Sequence, residues 1–438
     1  MMNRILIITY EFPPIGGSGV QRVTKFVNYL PKYGWLPFVL TVENSIEHFN
    51  DSSLMKDIPK DILIVRTKSN EPHYFRWLRK RSWGRAILRA TQFPDIHAPW
   101  KRIALVAGKE LIQQNQIQCI FSTDPITAHW VAWQLHEQTG LPWMMDIRDL
   151  WTLSFTYRPL SYFHGIRDNR LEKQLLSSAT AVTCVTKGYK QKLVNTYPNL
   201  ASAKFDVISN GYDETDYQSI ELKKNNCFTL AYSGQLYDFS VRPRPTGWKS
   251  WFEPLTHGEG KPEVVRSPRV IFEAVGNFIT ERPDATKEIQ VLFIGSFPRE
   301  YQDLIAMYQL QDIVKIVGYV NHAQSIQYIS NANVLFLIQG GAGSEIVIPG
   351  KLYEYLRSGN AILGIFPEGE SPQIIHKARS GEVFDPDDKE GIAKQIATWF
   401  EFWKQGQPLI HPDWDFIRGF EREKQTKQLA LRLNELCD

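Results

Sequence analysis

Short apolar runs without polar alternation recur along the whole chain, each separated from the next by a stretch of helical character. Arg4–Thr9 is the first, and Leu36–Thr41, Ile62–Arg66, Ile117–Ser122, Leu141–Asp146, Ala181–Thr186 and Phe205–Ser209 repeat it. Such runs are the pattern of strands buried on both faces, as in a parallel sheet covered by helices. The series ends near the turn dipeptide Asn210-Gly211, and a second one follows: Phe228–Ser233, Gln290–Gly295, Val314–Val317, Val334–Ile338, Ala361–Ile365 and Glu382–Phe384. This double alternation predicts an α/β protein with two doubly wound domains. The expected boundaries are residues 1–210 and 211–412, hinged around Asn210–Tyr217. Residues 413–438 carry a long charged helix, Phe416–Leu436, expected to cross back to the first domain.

Composition narrows the function. A chain of 438 residues is long enough for two or three cores. A net charge of +3 with 43% hydrophobic residues excludes a disordered chain and a dedicated nucleic-acid binder. Cys119, Cys184, Cys227 and Cys437 show no metal-ligand spacing and read as reduced cytosolic thiols. Met-Met-Asn-Arg before Ile5 is too short for a signal peptide, and no apolar run reaches the length of a membrane span. The expectation is a cytoplasmic protein, at most attached to a membrane surface.

The chemistry concentrates in Gly340–Gly359, which follows the strand candidate Val334–Ile338 and opens a short helix. A glycine-rich strand-to-helix turn presents backbone N–H groups at the positive end of a helix dipole, where a diphosphate sits. Pro349 suits the first turn of that helix and Gly359 the position past its end. Lys351 and Glu354, three apart, share a helix face, and a carboxylate one turn inside can accept both ribose hydroxyls. A second glycine loop, Glu11–Gly19, follows the first strand but lacks the G-x-G-x-x-G spacing of nicotinamide binders.

Two segments break the rhythm. His73–Phe93 holds Arg76, Arg79, Lys80, Arg81, Arg85 and Arg89 among Phe75, Trp77 and Trp83, with no acidic residue, a composition suited to an anionic membrane surface. Gly84 is expected to interrupt any helix there. Tyr237–Val265 is rich in Pro, Gly and aromatics without periodicity, as expected of a lid or binding loop.

These features occur together with Ser122-Thr123-Asp124-Pro125, Pro142–Trp151, Ser209–Asp213, Tyr232-Ser233-Gly234 and Pro349–Leu356, in order along nearly the whole chain. The ordered set resembles the two-domain (GT-B) retaining glycosyltransferases of family 4, most closely the bacterial members that build surface polysaccharides. The resemblance implies two Rossmann-like domains facing across a cleft. It implies sugar transfer, with retention, from a nucleotide-diphosphate donor to a saccharide or lipid-linked acceptor. No cofactor and no metal is implied; the nucleotide sugar is a substrate.

By the same resemblance Glu354 holds the donor ribose, Lys351 faces the phosphates, and backbone N–H groups at Ile346, Val347 and Ile348 meet the diphosphate or sugar. The phosphate-binding arginine that follows the Gly234 strand is displaced to Arg266 or Arg269. The nucleobase rests against backbone near Tyr319 and Val320, and Gly16 and Gly17 approach the transferred sugar. The family's polar residue near the sugar falls on Asp146, Arg148 or Asp149. Where the family has a first glutamate, eight positions before Glu354, this chain has Ile346, with Glu345 one position earlier as its substitute. His129 reads as a hydrogen-bonded structural histidine, and Asp385-Pro386-Asp387 as a polar turn rather than a metal-binding D-x-D. The alternatives are a nucleotide-sugar 2-epimerase of similar architecture and a non-catalytic nucleotide-sugar-binding scaffold.

Overall fold

A computed structural model describes residues 2–16, 18–43, 52–71, 74–157, 159–222, 226–238, 265–341 and 343–437. Gly17 and residues 239–264, most of the expected lid, lie outside the described residues. The chain divides into two compact units: among the described residues, unit 1 comprises 2–210 and 422–437, and unit 2 comprises 211–421.

In unit 1 the strands are β1 Asn3–Ile8, β2 Trp35–Val42, β3 Leu63–Thr67, β4 Cys119–Thr123, β5 Trp143–Ile147, β6 Ala181–Cys184 and β7 Phe205–Val207. They form one parallel sheet in the order β3-β2-β1-β4-β5-β6-β7. Helices α1 Ser18–Tyr29, α2 Tyr74–Arg79, α3 Ser82–Thr91, α4 Lys101–Asn115, α5 Ile126–Thr139, α6 Tyr162–Ser178 and α7 Lys187–Thr196 fill the connections. Ile5, Leu6, Ile7 and Ile8 are all fully buried, which is why this strand reads as a continuous apolar run. The strand order reverses between β1 and β4, and ligands in such sheets sit outside the carboxyl ends of the strands at that point.

Unit 2 repeats the plan. Strands β8 Phe228–Ser233, β11 Ile289–Ile294, β12 Val314–Gly318, β13 Val334–Ile338, β14 Ala361–Ile365 and β15 Gly381–Phe384 run parallel in the order β12-β11-β8-β13-β14-β15. The short antiparallel ribbon β9 Tyr237–Asp238 and β10 Val265–Arg266 flanks residues 239–264. Its helices are α8 Arg269–Glu281, α9 Gln302–Met307, α10 His322–Asn331, α11 Lys351–Ser358, α12 Glu370–Lys377, α13 Lys389–Lys404 and α14 Trp414–Ile417. A separate apolar cluster lies on each side of the sheet, one built around Phe272, Phe293 and Phe400, the other around Leu335, Leu352 and Tyr355.

The expected helix over Phe416–Leu436 is broken in two. After α14, a 3-10 turn spans Arg418–Phe420, and Glu421 is extended (φ −66°, ψ 132°) and bridges to Tyr212. Gly419 weakens helix continuation, and the Tyr212 N–H takes the Phe420 carbonyl at 3.2 Å. Helix α15 then runs over Arg422–Cys437 and packs Leu429, Ala430 and Leu433 among Val23, Phe26 and Val27 of α1. Its Gln425 donates to the Asn210 carbonyl at 2.8 Å, and the Trp35 indole donates to Asn434 at 2.8 Å. All four thiols are free; Cys119 and Cys437 are neighbours, and the contact with Cys437, with burial, pushes the Cys119 thiol well up.

Gly84 does not interrupt its helix. It lies inside α3, where a Cβ would stand 2.2 Å from the Leu78 carbonyl oxygen of α2, so the missing side chain lets the two helices touch.

Candidate functional site

Unit 1 gathers its polar residues at the carboxyl ends of β1, β4 and β5. Arg22 of α1 donates from Nε and Nη2 to the two carboxylate oxygens of Asp146, at 3.1 and 2.9 Å. The hydroxyls of Thr123 and Thr183 donate to the same carboxylate at 3.0 and 2.7 Å. Arg22 spends its remaining donors on the Ile208 and Ser209 carbonyls, both at 2.8 Å. The Arg22 and Asp146 side chains are 2% and 1% exposed. Four donors meet four lone-pair positions, so Asp146, expected as a catalytic candidate, is instead the knot that ties α1 to β4, β5, β6 and the end of the sheet.

The carboxylate that shapes the loop after β5 is Asp124. Its Oδ2 accepts the backbone N–H of Arg148 at 2.8 Å and of Asp149 at 3.2 Å. Burial alone would raise its carboxyl, but His129 and Arg148 outweigh that and hold it below the usual carboxylate range. His129 is the buried structural histidine the sequence suggests. Its Nδ1 lies 2.8 Å from Ser122 Oγ, which also accepts the Trp143 indole N–H at 2.8 Å, and its Nε2 is 3.4 Å from Asp124 Oδ1. Asp149 is left exposed at the tip.

Arg148 lies between Glu11, at 3.3 Å, and the Asp124 carbonyl, at 3.2 Å. Burial opposes its charge, yet Asp124, Glu11, Asp149 and Asp146 raise its pKa, so it stays a cation. A Cβ on Gly19 would stand 2.0 Å from Arg148 Nη1 and 2.3 Å from Glu11 Oε2. The glycine loop thus admits an ion pair over the start of α1. Gly16, in the same loop, is half-buried. Beneath the Asp149–Trp151 loop lies a small pocket of about 10 Å³, room for about one water, lined by Asp124, His129, Asp149, Trp151 and Glu172 among others. Glu172 accepts from the Thr152 N–H at 3.1 Å and the Tyr197 hydroxyl at 2.8 Å, and burial raises its carboxyl.

In unit 2 the strand order reverses between β8 and β13, and the expected donor residues meet there. The α11 helix buries Leu352, Tyr353, Tyr355 and Leu356 and turns Lys351 and Glu354 the other way. The Tyr355 hydroxyl accepts the Ser233 N–H at 2.9 Å, fixing α11 to the end of β8. Lys351 Nζ donates to the Ser233 carbonyl at 2.5 Å and lies 3.9 Å from the centroid of the Tyr232 ring. Gly234 has φ +117°, which an L side chain rarely adopts, and a Cβ there would stand 2.7 Å from Lys351 Nζ.

Glu354 has a partner that the sequence did not suggest. His322, the first residue of α10, places Nε2 3.0 Å from Glu354 Oε1. A carboxylate only accepts, which puts the imidazole proton on Nε2. On the other side, His322 Nδ1 lies 4.0 Å from Asp216 Oδ2. Asn321 and Gln324 form a reciprocal capping box that fixes the helix end carrying His322. The preceding Gly318-Tyr319-Val320 turn presents an exposed Tyr319. The segment Glu214–Tyr217 holds α11 from outside: Arg357 forms a two-bond fork with Glu214, and the Tyr217 hydroxyl donates to the Glu354 carbonyl at 2.9 Å.

The loop from Gly340 to Ile348 is closed by buried Gln339, whose side-chain amide donates to the Ser344 and Val347 carbonyls, both at 3.1 Å. Glu345 is exposed in the 3-10 turn Ser344–Ile346. One expectation for this loop changes: the Val347 N–H is taken by the Ser344 carbonyl at 3.0 Å. The Ile348 side chain joins the same core cluster as Leu352. Arg269 is exposed at the start of α8, and Arg266 lies in β10. Asp385-Pro386-Asp387 is a turn, with the Asp387 N–H on Asp385 Oδ1 at 3.0 Å.

Two parallel sheets, each interleaved with helices, define a protein of two Rossmann-like domains, the GT-B architecture. Solved structures similar over the full chain share it. Sucrose-phosphate synthase of Thermosynechococcus elongatus is 16% identical, with a TM-score of 0.61 over 99% of each chain. The apo lipopolysaccharide outer core galactosyltransferase WaaB is 13% identical, with a TM-score of 0.56 over 98% of this chain and 99% of its own. The UDP-GlcNAc 2-epimerase of Neisseria meningitidis, bound to UDP-GlcNAc, is 10% identical, with a TM-score of 0.55 over 99% of this chain and 100% of its own.

Residues 19–216 match the family described as Glycosyltransferase Family 4. Among curated relatives, WcaL of Escherichia coli K12 and of Salmonella typhimurium, both provisionally named colanic acid biosynthesis glycosyltransferases, are 26% identical over 112 residues. That stretch is 25% of this chain and 27% of each relative. Among the described residues no helix is long and apolar enough to cross a membrane.

The role given to Glu354 makes His322 testable. If Glu354 receives a ribose as expected, losing the His322 donor that positions its carboxylate is worth about 1 kcal/mol, or roughly five-fold. His322→Ala is therefore expected to weaken binding of a ribonucleoside diphosphate about five-fold and to narrow its advantage over the 2′-deoxy form. His322→Gln, whose amide still donates, is expected to restore both. Calorimetric titration of each variant with the two nucleotides checks this, and equal weakening of both would mean His322 is merely structural.

Proposed function

We propose that this chain is a retaining glycosyltransferase that moves a sugar from a nucleotide-diphosphate donor to a saccharide or lipid-linked acceptor in surface-polysaccharide biosynthesis. The observation that carries the reading is the meeting of Glu354, His322 and Lys351 at the carboxyl ends of the unit 2 strands, beside the glycine loop Gly340–Ile348. The family match over residues 19–216 supports transfer rather than epimerisation.

In this reading Glu354 accepts the ribose hydroxyls, and backbone at Tyr319 and Val320 receives the base. Lys351 turns from the Ser233 carbonyl to the phosphates, joined by Arg269 or Arg266, which supplies a planar fork for diphosphate oxygens. Glu345 and the backbone at Ile346 and Ile348 meet the sugar. The bond from the anomeric carbon to the diphosphate oxygen breaks, and the acceptor oxygen bonds on the same face. The departing diphosphate takes the acceptor's proton. Asp149, exposed and aimed by Asp124, steadies the positive charge that develops. No metal is required, and the protein works in the cytoplasm, against an anionic membrane through Arg76–Arg89.

Incubation with UDP- and GDP-sugars and an oligosaccharide or polyprenyl-linked acceptor tests the proposal. The expected result is a new glycoside with the donor's anomeric configuration, formed equally well with EDTA present. Donor conversion to a 2-epimer without acceptor would replace this reading with the epimerase; binding without any turnover would leave the scaffold.

A further inference from the structure

Unit 1 leaves aromatic side chains in water in two places. At the start of α6, Tyr162 and Phe163 are each 79% exposed, with ring centroids 6.1 Å apart. They are not a fraying end: Ser161 caps the helix, accepting the His164 N–H at 3.4 Å, so the fold holds both rings outward. On the α2–α3 hairpin, Trp77 and Trp83 are about half exposed and packed edge to face at 5.3 Å, with the Arg81 guanidinium 3.8 Å from the Trp77 centroid. Beneath them Phe75, Leu78 and Leu88 form the hairpin's own small core, which leaves the tryptophans as its outer layer.

The two places are joined. Arg167, one turn after Phe163 on α6, stacks on Phe93 at 4.1 Å, and Phe93 follows the last turn of α3. A helix of ten residues spans about 15 Å, which sets the distance from the tryptophans at its start to the Phe93–Arg167 contact that leads to the Tyr162–Phe163 end. Charge identifies what covers it. Residues 73–93 carry six Lys or Arg and no Asp or Glu. Tryptophan and tyrosine beside cationic side chains are the residues that settle at the headgroup level of a bilayer, and anionic lipid adds attraction for each basic residue.

We infer that Tyr162 and Phe163 of α6 and the Trp77–Trp83 pair are two anchors of one lipid-binding face, inserted into the interface of an anionic bilayer. This rests on the peripheral-membrane reading above and extends it to an element outside the basic segment. The face brings the enzyme to an acceptor held in the membrane.

Co-sedimentation of the full chain with vesicles tests it, using phosphatidylcholine alone and phosphatidylcholine mixed with phosphatidylglycerol, at low and high salt. The unmodified protein is expected to sediment with the mixed vesicles, less at high salt, and not with phosphatidylcholine alone. The double variant Tyr162→Ser/Phe163→Ser, which removes only exposed atoms, is expected to lose about ten-fold in vesicle affinity while titrating nucleotide as before. Failure of the unmodified protein to bind the mixed vesicles, or a double variant that binds as well as it does, would overturn the inference. So would a lipid-free dimer that the double variant dissolves, since the patch would then be covered by a second copy. Vesicle binding by a protein that binds no nucleotide would support the lipid face and defeat the donor site instead.

Discussion

Arg22→Ala is expected to cost unit 1 about 3–5 kcal/mol, the usual cost of removing one partner from a buried ion pair. The magnitude follows from burial rather than from the pair's own attraction. Asp146 would keep the two threonine donors but retain a charge that water barely reaches, its side chain being 1% exposed. The Ile208 and Ser209 carbonyls would lose their donor in the same step. Because the damage is confined to unit 1, calorimetry should show its transition about 10 °C lower with that of unit 2 unmoved. Asp146→Asn should also lower that transition while turnover per folded molecule stays within a few-fold. An Arg22→Ala protein that melts like the parent would contradict the anchoring role. An Asp146→Asn protein of full stability without activity would return Asp146 to the chemistry.

Glu354→Ala is expected to weaken nucleoside diphosphate binding about 100-fold. A carboxylate accepting two ribose hydroxyls makes two charge-assisted hydrogen bonds, together worth about 3 kcal/mol net. Stability should change little, since the Glu354 and His322 side chains keep a solvent-facing edge (17% and 16% exposed) and the core face of α11 is untouched. Glu354→Gln, which keeps one acceptor oxygen, should fall between. Titration calorimetry with matched thermal melts separates the two effects; unchanged affinity in the alanine variant would place the ribose elsewhere.

The strands were legible because a sheet buried on both faces demands runs such as Ile5–Ile8 and Val334–Ile338, and little else produces them. The short helix after Gly340 was legible for a local reason as well. Its glycine loop, Lys351, Glu354 and the closing Gly359 (φ +73°) all lie within one short stretch. What escaped the sequence depends on partners far away in the chain. Asp146 and Asp124 are both acids at strand ends, and only the arrival of Arg22, 124 residues before Asp146, makes the first an anchor. Asp124 was visible in its Ser-Thr-Asp-Pro phrase, but its task, aiming Arg148 and Asp149, is a contact across 24 or 25 residues.

His322 meets Glu354 across 32 residues, and nothing in its own neighbourhood but the Asn321–Gln324 cap marks the position. Gln339 had a nearer signal: a polar residue directly after five buried apolar ones, at the mouth of a glycine loop. Gly84 was misjudged because a helix-breaking tendency of about 1 kcal/mol is small beside the packing it permits against Leu78. Nothing in the sequence around Tyr162 and Phe163 marks them as exposed; their exposure is a property of the fold alone.

Isothermal titration of the unmodified protein with UDP, GDP and ADP tests the donor site on the Lys351–Glu354 helix most directly. Selective binding of one of the three, about 100-fold weaker in Glu354→Ala, is the predicted result. A folded protein that binds none of them would contradict an intact nucleotide-sugar site.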